Sequence, residues 1–259
     1  MQLFQIWVNS RLSQIALYNR DLSITTDQRI QDEPCMAYRP TAKTEARKQA
    51  QLKLLIDSSL QIVAQGGFSA LTMNALAKKA DLGTGTVYRY FDNKAHLCTE
   101  VFRIATEKEL EFILNTAFPG LAGSCLQRLS DVILSFAHRA IAGRRLAYAL
   151  IAEPVDADID QQRLEYRQTY AQIFQRLIDD GIAQNEFIAQ NSALTAAAIV
   201  GILSEALLTP LGLAVDDAVS FAHDEFINEL EQVCLRAVGI QRPAAHTRTR
   251  ETDHVLSNA

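Results

Sequence analysis

Paired cysteines, proline and catalytic signatures are what this chain has least of. Its four cysteines (Cys35, Cys98, Cys125 and Cys234) are scattered, without Cys-x-x-Cys spacing. They read as reduced thiols and exclude a disulfide framework. No His/Cys pair has metal-ligand spacing, so neither a metal nor a cofactor is expected. Gly-x-Ser-x-Gly, His-Glu-x-x-His and a phosphate-cradling glycine loop are all missing, which removes the enzyme classes those motifs serve. The chain is read as a non-enzyme. It has only six prolines, and no segment shows the alternation or β-branched runs of a sheet. No apolar run is expected to reach the ~20 residues of a membrane span. The N-terminus lacks the basic n-region of a secretory signal. A cytoplasmic protein is the expectation.

What is present is hydrophobic and helical. Of 259 residues, 48% are hydrophobic, enough to bury a sizeable core and long enough for about two domains. Leu52, Leu55, Ile56, Ser59 and Val63 fall on one face of a first helix that Gly66-Gly67 ends. A long helix over about 93–117 has Leu97, Val101, Ile104, Ala105, Leu110 and Ile113 inward, and Pro119-Gly120 stops it. Helices at about 123–142 and 144–152 follow, then one over 157–181 ending at Gly181. The fold class is all-α. Residues 1–35 show no sustained period. They read as an upstream extension before Met36, or alternatively as a genuine partner-binding tail. Residues 241–259 also lack periodicity and are expected to be disordered.

Net charge becomes informative once divided. Residues 36–96 hold nine Lys or Arg against four Asp or Glu, while residues 97–259 hold thirteen against twenty-two. A basic N-terminal module on an acidic body suits an oriented phosphate-binding protein, whose body is repelled while its basic end docks.

The most specific stretch is ADLGTGTVYRYF, residues 80–91. Before it, residues 72–79 make a short helix with Leu76 and Ala77 inward and Thr72 at its start, where a hydroxyl caps free N–H groups. Asp81 and Gly83 break the run, and a second helix runs from Thr84 to about Tyr90. Two short helices joined by a tight turn, with small and polar residues on the second, are what a major-groove reader needs. Gly85 lets the backbone approach a phosphate or base edge without a Cβ. Tyr88 and Tyr90 offer hydroxyls on stiff rings, and Lys94 adds a cation at the same edge. Base reading is assigned to Thr84 and Thr86, with Arg89 at the helix end. Thr72, Tyr88, Tyr90 and Lys94 are assigned to phosphates, and Arg47 and Lys48 reach the backbone from the first helix.

Residues 72–97 (TMNALAKKADLGTGTVYRYFDNKAHL), with the first helix and Gly-Phe junction over 46–71, resemble the signature of the TetR family of bacterial transcriptional regulators. The resemblance spans roughly 44–100. It departs at Asp81, where the family usually has Gly, and at Gly83, where it often has Ser or Thr. Asp tolerates a left-handed turn better than most residues. The resemblance implies a three-helix DNA-binding domain at 36–96 and a helical ligand-binding and dimerisation domain at 97–240. It implies a ligand-responsive regulator, a repressor of palindromic operator DNA, in the cytoplasm at the nucleoid. A DNA-bound scaffolding protein without a small-molecule switch is the alternative.

Two C-terminal segments fit a homodimer. Residues 191–208 present Ala193, Ala196, Ala197, Val200, Gly201 and Ser204, a small-residue stripe, and residues 215–238 align Val219, Ala222, Phe226, Leu230, Val233 and Ala237. A pair from each subunit makes the intersubunit four-helix bundle that the resemblance implies. Packing inside one chain is the alternative. For a small-molecule effector, the polar candidates are His138, Tyr148, Tyr166, Tyr170 and Glu205, with Arg144, Arg145, Glu153 and His223 behind them.

Overall fold

Oxygen-bearing side chains start five of the nine described helices. In the computed structural model, which describes residues 42–120, 123–212 and 223–240, Thr72, Asn93, Ser124, Asp156 and Asn191 each accept a hydrogen bond from an N–H in the first turn they precede. Each thereby satisfies one donor that has no partner within the helix. The described helices are α1 (Ala42–Ala70), α2 (Met73–Lys79), α3 (Thr84–Val87), α4 (Lys94–Ala117), α5 (Cys125–Ala142), α6 (Arg144–Ile151), α7 (Ala157–Ala183), α8 (Ser192–Leu211) and α9 (His223–Val238). Among the described residues the only extended pairing is one antiparallel bridge, Phe187 to Ile240. The fold is all-α.

Two apolar clusters organise the chain. The first gathers Leu55, Val63 and Phe68 of α1, Leu76 and Ala77 of α2, Val87 of α3, and Leu97 to Ile104 of α4. It does not stop at residue 96, because Ala149 of α6 and Ile159 of α7 complete it. The second fills the body from Leu110 on, through α5, α7, α8 and α9. Helix α4 belongs to both, so it is the rod between the N-terminal cluster and the body. Its six predicted inward residues are all buried.

Several predicted boundaries move for physical reasons. Helix α1 runs on past the Gly66-Gly67 stop, with a break at Gly67, whose φ of 72° and ψ of −175° are not helical. Helix α7 does not end at Gly181. That glycine sits inside the helix because the Phe187 ring lies on it, 2.2 Å from where a Cβ would be. Reversal comes later, at Asn185, with φ 58°.

The expectation of no span-length apolar segment is corrected by α8. This 20-residue helix, with mean hydropathy 1.8, is long and apolar enough to cross a membrane by length and composition. The reason lies in its two faces. Ala196, Ile199, Leu203 and Leu207 are buried in the body core, while Ala193, Leu194, Ala197 and Gly201 are exposed, Leu194 at 68%. The predicted small-residue stripe therefore splits between core and surface. On α9, Ile227, Leu230, Cys234 and Val238 are buried, whereas Val233 is 40% exposed. Val219, Ala222 and the His223 side chain lie outside the described residues, as do residues 1–41 and 241–259.

Candidate nucleic-acid interface and effector cavity

The helix-turn-helix is assembled by its buried positions. Met73, Leu76, Ala77 and Val87 are in the core, so the opposite faces of α2 and α3 point outward. The turn closes through Leu82 N–H donating to the Ala77 carbonyl at 2.9 Å. Asp81 takes φ 54°, the left-handed conformation expected where the family has glycine. Gly83 precedes α3 with extended backbone and provides no side-chain cap. Regular α-helix ends at Val87, earlier than the expected Tyr90. Tight turns carry the chain on, with Tyr90 N–H bonded to the Val87 carbonyl, and buried Phe91 pulls it back into the core.

Most of the predicted DNA-facing residues are accessible at least in part. Gly83 and Gly85 face open space, with no protein atom within 4 Å of an added Cβ. Tyr88 is 52% exposed. Arg47, Thr72, Arg89 and Lys94 are exposed, and Lys48, Thr84 and Thr86 are half-buried. The Thr84 hydroxyl lies 3.4 Å from Asn74 Oδ1. Asn74, Lys78 and Lys79 are also exposed on α2, whose Leu76 and Ala77 are buried, and are not among the residues the sequence assigns to DNA.

Tyr90 is the correction. Its hydroxyl turns inward, 3.2 Å from the Lys48 carbonyl and 3.1 Å from Gln51 Oε1. Burial raises its pKa, so the phenol keeps its single proton for these acceptors. A phosphate oxygen needs a donor, and this donor is already used to tie α1 to the helix-turn-helix. The Thr72 hydroxyl oxygen accepts from Ala75 N–H at 3.1 Å, its capping role, which leaves its proton available.

Behind this surface lies a cavity of about 240 Å³ where the two apolar clusters meet. Phe102, Thr106, Glu109 and Ile113 of α4 form one wall. Phe136 and Arg139 of α5, Leu146 and Ile151 of α6, Arg163, Tyr166, Arg167 and Tyr170 of α7, and Val200 and Ser204 of α8 form the rest. Of the effector candidates, Tyr166 and Tyr170 are in its lining. The other candidates are not. His138 is exposed, with Nδ1 2.7 Å from the Leu134 carbonyl and Nε2 3.8 Å from Asp224. Tyr148 packs against the body core outside the lining. Glu205 is exposed on α8. Arg144 donates to the Gly212 carbonyl, and Arg145 is also absent from the walls.

Glu153 has another task. Its carboxylate accepts from Phe68 N–H at 2.9 Å and Ser69 N–H at 3.1 Å, at the Gly67 break. The backbone there, with φ 72° and ψ −175°, favours glycine, and a Cβ on Gly67 would also stand 2.4 Å from Glu153 Oε2. From the other side, Arg163 donates to the Glu153 carbonyl at 2.5 Å and to the Ala149 and Leu150 carbonyls at 2.9 and 3.0 Å. Arg163 also pairs with Asp160 at 2.6 Å. One arginine in the cavity wall is thus joined, through Glu153, to the junction that carries α2 and α3. No sequence signal marks this link, because its ends are 85 residues apart.

Comparisons with known proteins agree with this architecture. Residues 55–101 match the family described as bacterial regulatory proteins, tetR family, and residues 122–207 match the tetracyclin repressor-like C-terminal domain. The chain belongs to the TetR family. This regulator is 43% identical over 92 residues to the HTH-type transcriptional repressor KstR of Mycolicibacterium smegmatis, across 35% of this chain and 43% of that protein. It is 30% identical over 67 residues to the fatty acid metabolism regulator protein of Bacillus subtilis, across 26% of this chain and 33% of that one. These matches span less than half the length of either relative. The structure resembles the transcriptional regulator FadR from Bacillus subtilis in complex with stearoyl-CoA, with TM-score 0.60 at 20% identity, over 72% of this chain and 99% of that chain. The shared fold is the TetR fold.

Proposed function

We propose that this TetR-family regulator is a ligand-responsive repressor. It binds palindromic operator DNA as a homodimer in the cytoplasm, and a small molecule entering the body cavity releases it. The observation that carries the reading is the connection from cavity to DNA module. Arg163 and Phe102 line the cavity, Arg163 holds Glu153, and Glu153 holds the Gly67–Ser69 junction. A scaffold without a switch has no use for such a path.

On this reading two α3 helices sit ~34–36 Å apart in successive major grooves. A ligand that spreads α4, α6 and α7 displaces Arg163 and α4 together, and the spacing no longer fits. The ligand must favour that state by typically ~1–3 kcal/mol of coupling. Thr84, Thr86 and Arg89 read bases. Arg47, Lys48, Thr72, Tyr88 and Lys94 hold phosphates, with Gly85 allowing close approach.

The dimer forms through the exposed faces of α8 and α9. Ala193, Ala197 and Gly201 allow close helix approach, and Leu194 and Val233 supply apolar area. Footprinting of the purified protein on its own upstream DNA, with and without lipophilic metabolites, tests the whole reading. One short two-fold-symmetric footprint, lost on adding a metabolite, is expected; scattered protection insensitive to every metabolite would favour the scaffold.

A further inference from the structure

Hydroxyl groups on these helices normally find a partner. Ser59, Thr116, Thr169 and Ser204 each donate to the carbonyl four residues back, the usual resolution for a hydroxyl inside a helix. Thr106 does not. It is 6% exposed, its Oγ1 is buried with no hydrogen-bond partner among the described residues, and it lines the cavity. Tyr170, one turn up the facing wall from Tyr166, also has no hydrogen bond to a described residue. Burial holds its phenol well above its ordinary pKa, so it stays a donor. The other two hydroxyls of the lining are occupied: Tyr166 reaches Glu107 at 3.4 Å and Ser204 its own helix.

Two of the lining arginines are also committed. Arg139 pairs with Glu109 at 2.6 Å and stacks over Phe112 at 4.0 Å. Arg163 is held by Asp160 and three carbonyls. A carboxylate placed inside would have to break one of these pairs and would face Glu109. Arg167 is exposed and offers a cation only at the edge of the cavity.

We infer that the effector is a largely apolar molecule whose buried part carries an uncharged hydrogen-bond acceptor, a ketone or ester carbonyl, held by the hydroxyls of Thr106 and Tyr170. This rests on the reading of the cavity as the effector site. An orphaned buried hydroxyl costs stability in the empty protein and is repaid only when an acceptor arrives.

Matched probes on the full chain test it: decane, 2-decanone and decanoate, and adamantane, 2-adamantanone and adamantane-1-carboxylate. Each competes with the uncharged dye N-phenyl-1-naphthylamine. In the native protein each ketone should bind about three- to tenfold more tightly than its parent hydrocarbon. In the Thr106→Val/Tyr170→Phe variant that gap should close while hydrocarbon binding is kept. Without any ligand, Thr106→Val alone should raise the melting temperature by about 2–4 °C, because the orphan is gone. A ketone gap that persists in the double variant, or is missing in the native protein, overturns the assignment. So does a carboxylate that outcompetes the ketone in both proteins. If neither dye nor probes enter, the effector-site reading itself fails, and this proposal with it.

Discussion

At the scale of single residues, the two proposed DNA roles predict different losses on mutation. Lys94 is an exposed cation beside the turn. Lys94→Ala should weaken binding to specific and random duplex alike and reduce the slope of log affinity against log salt by about one. Thr86→Ala should instead change base preference, and equal losses on both duplexes in an anisotropy titration would remove its base-reading role. The cysteines give a pH prediction. Burial pushes the Cys98 thiol up to about 11 and the Cys234 thiol up to about 12, so the folded state keeps protons that the unfolded chain gives up near 9. Their contribution to stability is therefore full below pH 9 and is lost as pH rises through 9 to 12. Urea unfolding at pH 7, 9 and 10.5 should show a midpoint flat over the first interval and falling over the second, with a shallower fall in Cys98→Ala.

Beside the apolar clusters, one pair of long-range hydrogen bonds ties the end of α1 to Glu153. Removing the Glu153 carboxylate leaves two amide donors without their acceptor, a loss of about 1–3 kcal/mol. Glu153→Ala should keep its helix content, lose that much stability and expose the Phe68 and Ser69 amides to faster hydrogen exchange. Unchanged protection at those two amides would mean that the carboxylate does not hold the junction. Gly67→Ala attacks the same link from the other side. It forces a side chain into a glycine-only backbone conformation and against Glu153, costing about 1–3 kcal/mol for the backbone alone. Both variants should also blunt the response of DNA binding to any effector, since the path from cavity to α2 and α3 is cut.

For the whole molecule, the open question is what covers the outer face of α8. Gly201 has open space around it, so a larger side chain there costs the single subunit little sterically. Gly201→Arg should therefore fold normally by circular dichroism. It should nevertheless elute as a monomer with light-scattering detection, and lose operator binding because two half-sites need two linked readers. A dimer that survives this substitution would move the interface elsewhere. On the proposed reading, the basic 36–96 segment and the acidic 97–259 segment set the sign of the approach to DNA.

Local chemistry was enough to read the all-α fold, the Thr72 cap, the left-handed turn at Asp81 and the family. The cap and the turn each depend on residues within a few positions of one another: Thr72 and Ala75, Asp81 and Leu82. The sequence also showed the α4 core face, because its apolar residues repeat with the helix period. Tertiary structure decided the rest. It turned Tyr90 inward, seated Phe187 on Gly181, moved Glu153 from the effector candidates to the domain junction, and left Thr106 and Tyr170 as the cavity's free hydroxyls. Whether a polar side chain is available depends on which distant group has already taken its proton or lone pair. That is settled only when helices far apart in the chain are brought into contact.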